Sequence, residues 1–165
     1  MQRRPVIDGL EFARTGSKLQ VSWPVSDFPR LRDALRDETG AIECEVGGIP
    51  EKLGRPALRL RLNGVLQLTC QRCLEALAFP LRVDVALLLA ETQAEIDAEP
   101  LTPESPERVV AEKEMQVHAL AEDELLLAIP LAPRHERCAA GKAESAASRR
   151  NTPFAGLRDL MGSKH

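Results

Sequence analysis

Two long stretches of alternating apolar and polar residues limit the folds that this chain can adopt. Between positions 58 and 70 the leucines and one cysteine occupy even positions, and between 77 and 89 the large apolar residues other than Leu88 occupy odd positions. Side chains alternate between the two faces of a β-strand, so each stretch predicts a strand with one buried face. The two strands should pair antiparallel, with the segment from Cys70 to Ala76 at the tip between them.

Asn63 and Gly64 interrupt the first stretch and form a dipeptide that favours a tight hairpin turn. The even parity nevertheless continues through Gly64, which favours one long strand with a bulge or kink there.

Shorter patterns complete the predicted fold. Alternation predicts strands over 18–23 and 42–46, the second stopping at Gly47 and Gly48. Helical spacing predicts a helix from Pro29 towards Gly40 and another over 115–129 that ends before Pro130. We therefore expect an α+β fold, a twisted antiparallel sheet built on the long hairpin with two or three short helices on one side. Long twisted strands tend to curl, which allows partial closure into a barrel.

Length and composition predict one domain followed by a tail. The chain has 165 residues and 44% hydrophobic residues, enough for a single core, with only 3% aromatics. We expect residues 1–138 to form one α+β domain with an acidic, proline-containing loop at about 91–107. Residues 139–150 are small, polar and low in complexity, so 139–165 is expected to be a flexible segment with a short C-terminal helix.

Charge is unevenly distributed, which matters for the choice of partner. Residues 91–124 carry 11 acidic and 2 basic side chains, whereas the rest of the chain carries 14 acidic and 20 basic ones. The acidic stretch is either a solvated loop or a segment that shields or mimics phosphate near a basic face. The net charge of −3 therefore does not exclude contact with RNA. No apolar run is long enough to span a bilayer and no secretory signal is visible, so we expect a cytoplasmic protein without a membrane partner.

Cysteine and histidine spacing predicts a metal site. Cys70 and Cys73 are separated by two residues, as are His135 and Cys138. Two such pairs supply three thiolates and one imidazole, a ligand set suited to Zn²⁺, if the fold brings them together across 61 intervening residues. Two alternatives stay open: Cys70 continues the buried face of its strand and is then a core residue, or Cys70 and Cys73 form a redox pair.

Signatures of catalysis are scarce in this sequence. It contains no glycine-rich phosphate loop, no metalloprotease helix motif and no nucleophile elbow. Of the three histidines, His118 lies in a predicted helix, where a surface position is the simplest interpretation. We therefore expect a protein that is not an enzyme.

Basic residues suggest a phosphate-binding surface. Arg59 and Arg61 lie on the strand face opposite the leucines, Arg72 lies in the predicted tip, and Arg134 and Arg137 flank His135. Arginine recognises phosphate through two parallel hydrogen bonds. An ordinary polar sheet face explains Arg59 and Arg61 equally well, and base-stacking aromatics are too few for an aromatic RNA-recognition sheet.

Four motifs resemble one known family in order and spacing. They are the C-x-R-C-L segment around Cys70, the acidic-aliphatic stretch ending at Pro130, the segment Leu131–Cys138, and Asn151–Leu157 with Thr152 inserted. Together they resemble the YceD family of bacteria and plastids over essentially the whole chain. The resemblance implies a role in accumulation of large-subunit (23S) ribosomal RNA, through ribosome assembly, and no enzymatic activity.

Our leading hypothesis is thus a non-enzymatic ribosome biogenesis factor. Its partner would be large-subunit ribosomal RNA or a pre-ribosomal particle, reached directly or through a ribosomal protein, and not DNA. Contacts are expected at Leu74 and Arg72 in the tip, at the other arginines named above, and at Pro153 and Phe154 near the C terminus. The alternatives are a small zinc-braced protein-binding module and, ranked below it, a thiol oxidoreductase.

Overall fold

The computed structural model describes residues 4–100 and 102–138, and their secondary structure follows a simple order along the chain. The elements are β1 (Val6–Ile7), α1 (Gly9–Arg14), β2 (Lys18–Pro24), two 3-10 helices (Val25–Asp27 and Pro29–Ala34), β3 (Ala41–Lys52), β4 (Arg55–Thr69), β5 (Ala76–Ala90), α2 (Gln93–Ala98), β6 (Arg108–Val110), β7 (Met115–Gln116) and α3 (Val117–Ala128). The mixture confirms the expected α+β class.

Five strands form the main sheet in the order β2-β3-β4-β5-β6. The first four are antiparallel neighbours, whereas the short β6 runs parallel to β5. Strands β1 and β7 pair separately. Within the described ranges the sheet has two open edges, so no closed barrel forms.

The long hairpin of β4 and β5 is the longest ladder in the described part of the chain. Its register runs from Ala57 opposite Leu88 to Thr69 opposite Ala76. The ladder passes through Gly64, opposite Leu81, without a shift, so one long strand is confirmed and the predicted bulge at Gly64 is wrong. The irregularity lies instead at the start of β4, where β3 shifts register between Ile49 and Lys52.

The other elements differ from prediction mainly at their boundaries. Strand β3 continues through Gly47 and Gly48 to Lys52, because its ladder with β4 runs on through both glycines, and α1 packs closely on Gly48. The helix predicted from Pro29 is a 3-10 helix that ends at Ala34. Helix α3 ends before Pro130 as predicted. Within the predicted loop 91–107, the short helix α2 is capped by the Thr92 hydroxyl.

The leucine face of the hairpin forms the core. Its leucines are buried under α1, the second 3-10 helix and α3, with Trp23 and Phe28 among the large buried side chains. No helix in the described ranges is both long and apolar enough to cross a membrane.

The polar residues His118 and Glu122 are also buried in this core. His118 is only 5% exposed, so its predicted surface position is wrong. Its ring stacks on Phe28 at 4.5 Å and meets Trp23 edge-on at 5.1 Å. Glu122 accepts a hydrogen bond from the backbone N–H of Arg30 at 2.9 Å and so ties α3 to the second 3-10 helix.

The glycine pair of β3 allows a matched test of the α1 contact. A Cβ at position 48 would overlap the Phe12 carbonyl oxygen and lie 2.9 Å from the Ala13 Cα, both backbone atoms that yield little. A Cβ at position 47 would meet nothing within 4 Å. We expect Gly48→Ala to lower the free energy of unfolding by at least about 1 kcal/mol, because the added methyl group overpacks the contact with α1. Gly47→Ala should change the free energy of unfolding by less than about 1 kcal/mol. Urea unfolding measures both values, and equal effects would contradict the close approach.

Burial of His118 predicts a pH-dependent stability. Burial is the main cause that lowers the pKa of His118, and the positive charge of Arg4 lowers it further. Glu122 and Asp27 act to raise this pKa but do not outweigh the lowering. The unfolded chain therefore takes up a proton below about pH 6.5 that the folded chain resists, and stability is lost as pH falls. The loss amounts to about 1.4 kcal/mol per unit of pKa difference.

His118→Gln should remove this loss. The measurement is the change in unfolding free energy between about pH 8 and pH 5.5, compared between wild type and variant. Glu124, with a pKa of about 7, and Cys70, with a pKa of about 5, contribute equally to both proteins and cancel in this comparison. The pKa of His135 is raised, so that group acts with the opposite sign and does not mimic the effect. An equal loss in wild type and variant would refute a linkage through His118.

Candidate metal centre

The turn between β4 and β5 is closed by backbone hydrogen bonds. The Cys70 N–H donates to the Glu75 carbonyl at 3.0 Å, and the Leu74 N–H donates to the Cys70 carbonyl at 2.9 Å. Leu74 adopts a left-handed conformation with φ of 63° and is 69% exposed. We call residues 70–75 the tip. The turn folds Cys70 and Cys73 onto one side of the hairpin end.

The segment after α3 returns to this tip. The Gln71 N–H donates to the Pro133 carbonyl at 2.8 Å. The Arg72 guanidinium donates to the Cys138 Sγ at 2.9 Å and to the His135 carbonyl at 3.3 Å. Helix α3 crosses the hairpin, and the irregular chain beyond Pro130 then reaches the tip. This topology closes the 61-residue gap between the two pairs.

The four predicted ligands form one compact cluster. The Cys70 and Cys138 sulfurs are 3.6 Å apart, and the His135 Nδ1 lies 3.4 Å from the Cys73 sulfur and 3.9 Å from that of Cys138. All four ligand atoms lie within 4.8 Å of one another. Cys70 is fully buried and the other three residues are partly buried. The cluster could therefore hold a metal ion.

These distances match tetrahedral coordination by thiolates and imidazole. With Zn–S bonds of about 2.3 Å, sulfur atoms at adjacent corners of a tetrahedron are about 3.8 Å apart. The His135 Nε2 lies 2.9 Å from the Ala76 carbonyl. Donation of the Nε2 proton to that oxygen leaves the Nδ1 lone pair directed at the cluster. Metal-binding histidines are commonly held by such a hydrogen bond to a backbone carbonyl.

The electrostatics of the cluster favour thiolates at two positions. Burial raises the pKa of Cys70, but hydrogen bonds from the backbone of Cys73, His135 and Arg72 outweigh it and lower this pKa to about 5. The Arg72 hydrogen bond lowers the pKa of Cys138. A hydrogen bond to Cys138 raises the pKa of His135.

Cys73 differs from its neighbours. The Glu75 backbone hydrogen bond favours its thiolate, but burial and the adjacent Cys70 and Cys138 sulfurs raise its pKa. A third thiolate at Cys73 would repel the other two unless a cation lay between them. The arrangement thus has the charge pattern of a cation site.

Cys44 is separate from the cluster. It lies in β3, as the alternation predicted, and is buried. Burial raises the pKa of its thiol to about 12, so it stays protonated and inert.

The predicted basic residues fall into two groups. Arg59 forms a two-pronged ion pair with Asp84, at 2.7 and 2.8 Å, and Arg61 contacts Glu45 and Asp84 at 3.3 and 3.4 Å. The Arg59 hydrogen bond is the main cause that lowers the pKa of Asp84 to about 2. On this polar sheet face the positive charges are therefore compensated locally.

The second group surrounds the cluster. Arg72 lies in the tip, while Arg134 and Arg137 are exposed on the returning segment. The sequence patterns did not single out Arg36, which donates to the Leu74 carbonyl at 3.2 Å and approaches the tip from the chain after the second 3-10 helix. No spacing in the sequence indicates that approach. Pro153 and Phe154 lie outside the described residues.

Fold and site together define the class: small α+β proteins in which a long hairpin carries a three-cysteine, one-histidine cluster at its tip. The chain belongs to the YceD family, whose sequence model, described as Large ribosomal RNA subunit accumulation protein YceD, matches residues 58–161. This match spans more than half of the chain and confirms the resemblance in the sequence. The description names an accumulation role and no reaction. No curated protein and no solved structure matches the chain.

Proposed function

We propose that this protein is a non-enzymatic factor in ribosome biogenesis that acts in the cytoplasm and supports accumulation of large-subunit (23S) ribosomal RNA. It does so by associating with that RNA or with a pre-ribosomal particle through the tip. The observation that carries the proposal is that four arginines lie around an ordered cysteine-histidine cluster in a chain of the YceD family. They are Arg36, Arg72, Arg134 and Arg137.

A zinc ion would brace this binding surface. Cys70, Cys73, His135 and Cys138 would hold it, and it would join the hairpin to the segment that follows α3. The ion supplies a cross-link and charge neutralisation, and the Arg72 guanidinium offsets the remaining negative charge of three thiolates around Zn²⁺. The brace orders Arg134 and Arg137 before binding, which reduces the entropy lost on association.

Charge favours the tip over the open sheet face as the RNA contact. Arg134 and Arg137 are exposed and form no ion pair within the described ranges. Arg59 and Arg61 would have to leave Asp84 and Glu45 to bind phosphate. We propose Arg72, Arg134 and Arg137 as the principal phosphate contacts, and the two arginines of the sheet face as secondary ones. Pro153 and Phe154 complete the proposed set.

Leu74 is the proposed apolar contact at the tip. A leucine in the left-handed region costs about 1–2 kcal/mol, and this side chain is 69% exposed. Strained, exposed apolar residues of this kind are frequent at binding sites. The exposed Leu74 and Leu131 also favour the second candidate, a zinc-braced module whose partner is another protein.

Zinc content tests the brace. Wild-type protein purified without a histidine tag should contain about one zinc per chain, the stoichiometry of a four-ligand site. Cys73→Ala and His135→Ala should lose the metal and melt at lower temperature, because bound metal stabilises only the folded state. Elemental analysis and thermal melting with and without chelator give both readouts.

Cys44→Ala is the matched control for the zinc measurement. It removes a cysteine that lies outside the cluster and should keep the metal. A wild-type protein that is metal-free and whose melting temperature zinc does not change would rule out the brace.

Sedimentation of cell lysates on sucrose gradients tests the proposed association. Wild-type protein should migrate with large-subunit precursors at low salt and be released as salt rises. Arg134→Ala/Arg137→Ala should weaken this association and reduce its salt dependence by about one power of salt concentration per lost phosphate contact. Arg59→Ala/Arg61→Ala removes the same charge from the sheet face and should have a smaller effect.

Leu74→Gly separates binding from folding. Glycine adopts the left-handed conformation freely, so this variant should be at least as stable as wild type while associating less. Arg72→Ala is less informative, because it disturbs the Cys138 contact as well as the surface. Association that resists salt would favour the protein-binding module. Equal sedimentation of wild type and all these variants would refute the tip as the contact.

A further inference from the structure

A groove far from the tip lies between β6 and α3. It has a volume of about 460 Å³ and apolar walls that include Val109, Val110, Ala119 and Leu120, with Met115 at its base. Strand β6 pairs with the end of β5 opposite the tip, at Leu88–Ala90. About 12 residues of extended strand separate this end from Ala76, roughly 40 Å along β5.

Acidic side chains surround the groove. Glu112, Glu114 and Asp123 line its rim, and the exposed Glu107 precedes β6. Asp123 is partly compensated by an ion pair with Arg30. The nearby Lys113 does not line this groove. It lines a second groove together with Asp8 and Glu11. An apolar floor with an acidic rim fits a ligand that is both apolar and positively charged.

Strand β6 is an edge strand of the sheet in the described residues, so its outer backbone N–H and C=O groups face no neighbouring strand there. The Leu88 N–H donates to the Glu107 carbonyl, and the Ala111 N–H donates to the Ala90 carbonyl. Alternation along a parallel ladder then directs the backbone groups of Arg108 and Val110 away from β5. Within residues 4–100 and 102–138, no strand pairs with this outer edge. Extended peptides bind such edges by adding a strand, with alternate side chains entering an adjoining groove.

We propose that the β6–α3 groove binds an extended, lysine- or arginine-rich peptide segment of a partner protein, with alternate apolar side chains on the groove floor. The basic side chains would face Glu112, Glu114 and Glu107, while the peptide backbone pairs with β6. The proposal goes beyond the RNA contact and stands independently of it, because groove and tip lie at opposite ends of the hairpin.

Glu124 does not line the groove, but its carboxyl responds to the acids beside it. Burial, together with the neighbouring Glu107 and Asp123, raises the pKa of the Glu124 carboxyl to about 7. A basic occupant would relieve this crowding of acids and favour the carboxylate form.

The test is binding of a labelled nine-residue peptide of alternating lysine and valine to the purified full chain, followed by fluorescence anisotropy. We expect saturable binding that weakens about tenfold in Glu112→Lys/Glu114→Lys, because this double variant turns the rim positive. Ala119→Trp fills the groove from an exposed helix position without changing charge and should weaken binding by a similar factor.

Glu43→Lys/Glu51→Lys is the charge-matched control, since it makes the same charge change at exposed residues away from the groove. It should bind the peptide within about twofold of wild type. Circular dichroism checks that each variant folds. The peptide-binding assay contains no RNA, whereas the RNA proposal is tested by sedimentation. Failure of one proposal is therefore distinguishable from failure of the other.

Several results would overturn the proposal. One is an absence of saturable binding, and another is equal binding by the groove variants and the control pair. Equal binding of a nine-lysine peptide would indicate diffuse attraction instead of a groove. Binding restricted to a peptide with the sequence of residues 139–165 would make this chain's own terminal segment the occupant and not a partner.

Discussion

The structure depends on one constraint, the burial of a single leucine face along the whole length of the β4–β5 hairpin. Strands β4 and β5, each 15 residues long, place their alternating apolar residues on this face, which neighbouring strands extend and other elements must cover. The cover comes from α1, the second 3-10 helix and α3, of which the last two pack against each other. Because α3 must cross this face, the chain that follows α3 is brought to the hairpin end, where the second pair of metal-type ligands meets the first.

Period-two alternation was sufficient to predict β2 to β5, the antiparallel pairing of β4 with β5 and the tip, because alternate residues share one face of a strand. It gave no sign of β1, β7 or the parallel strand β6, which are too short to show an alternating pattern. The extent of β3 was not predictable in the same way. Gly47 and Gly48 resemble a strand end, but the ladder with β4 continues through them, and the glycine at position 48 is explained by the close approach of α1. The same holds for the 3-10 helix at Pro29, whose spacing resembles that of an α-helix, and for His118, whose burial between Phe28 and Trp23 is a tertiary property.

The candidate site shows a similar division. The spacing of Cys70, Cys73, His135 and Cys138 named the four ligands, and the structure places them within reach of one ion. The spacing gave no indication of the Ala76 carbonyl that orients His135, or of Arg36 approaching Leu74 from a distant segment. Such supporting contacts come from the path of the chain in space, and short linear patterns do not encode that path.

The separation of charge along the hairpin has a further physical consequence. Arg36, Arg72, Arg134 and Arg137 outnumber Glu75 and Glu136 around the tip, and carboxylates outnumber basic residues around β6. We therefore expect an electric dipole directed along the long strands. In the field of a polyanion such a dipole experiences a torque that turns the positive end forward. If RNA is the partner, as proposed above, the protein would approach its surface already oriented, which shortens the rotational search that limits most association rates. The weak net charge of the chain conceals this effect, since orientation depends on where charges lie and not on their sum.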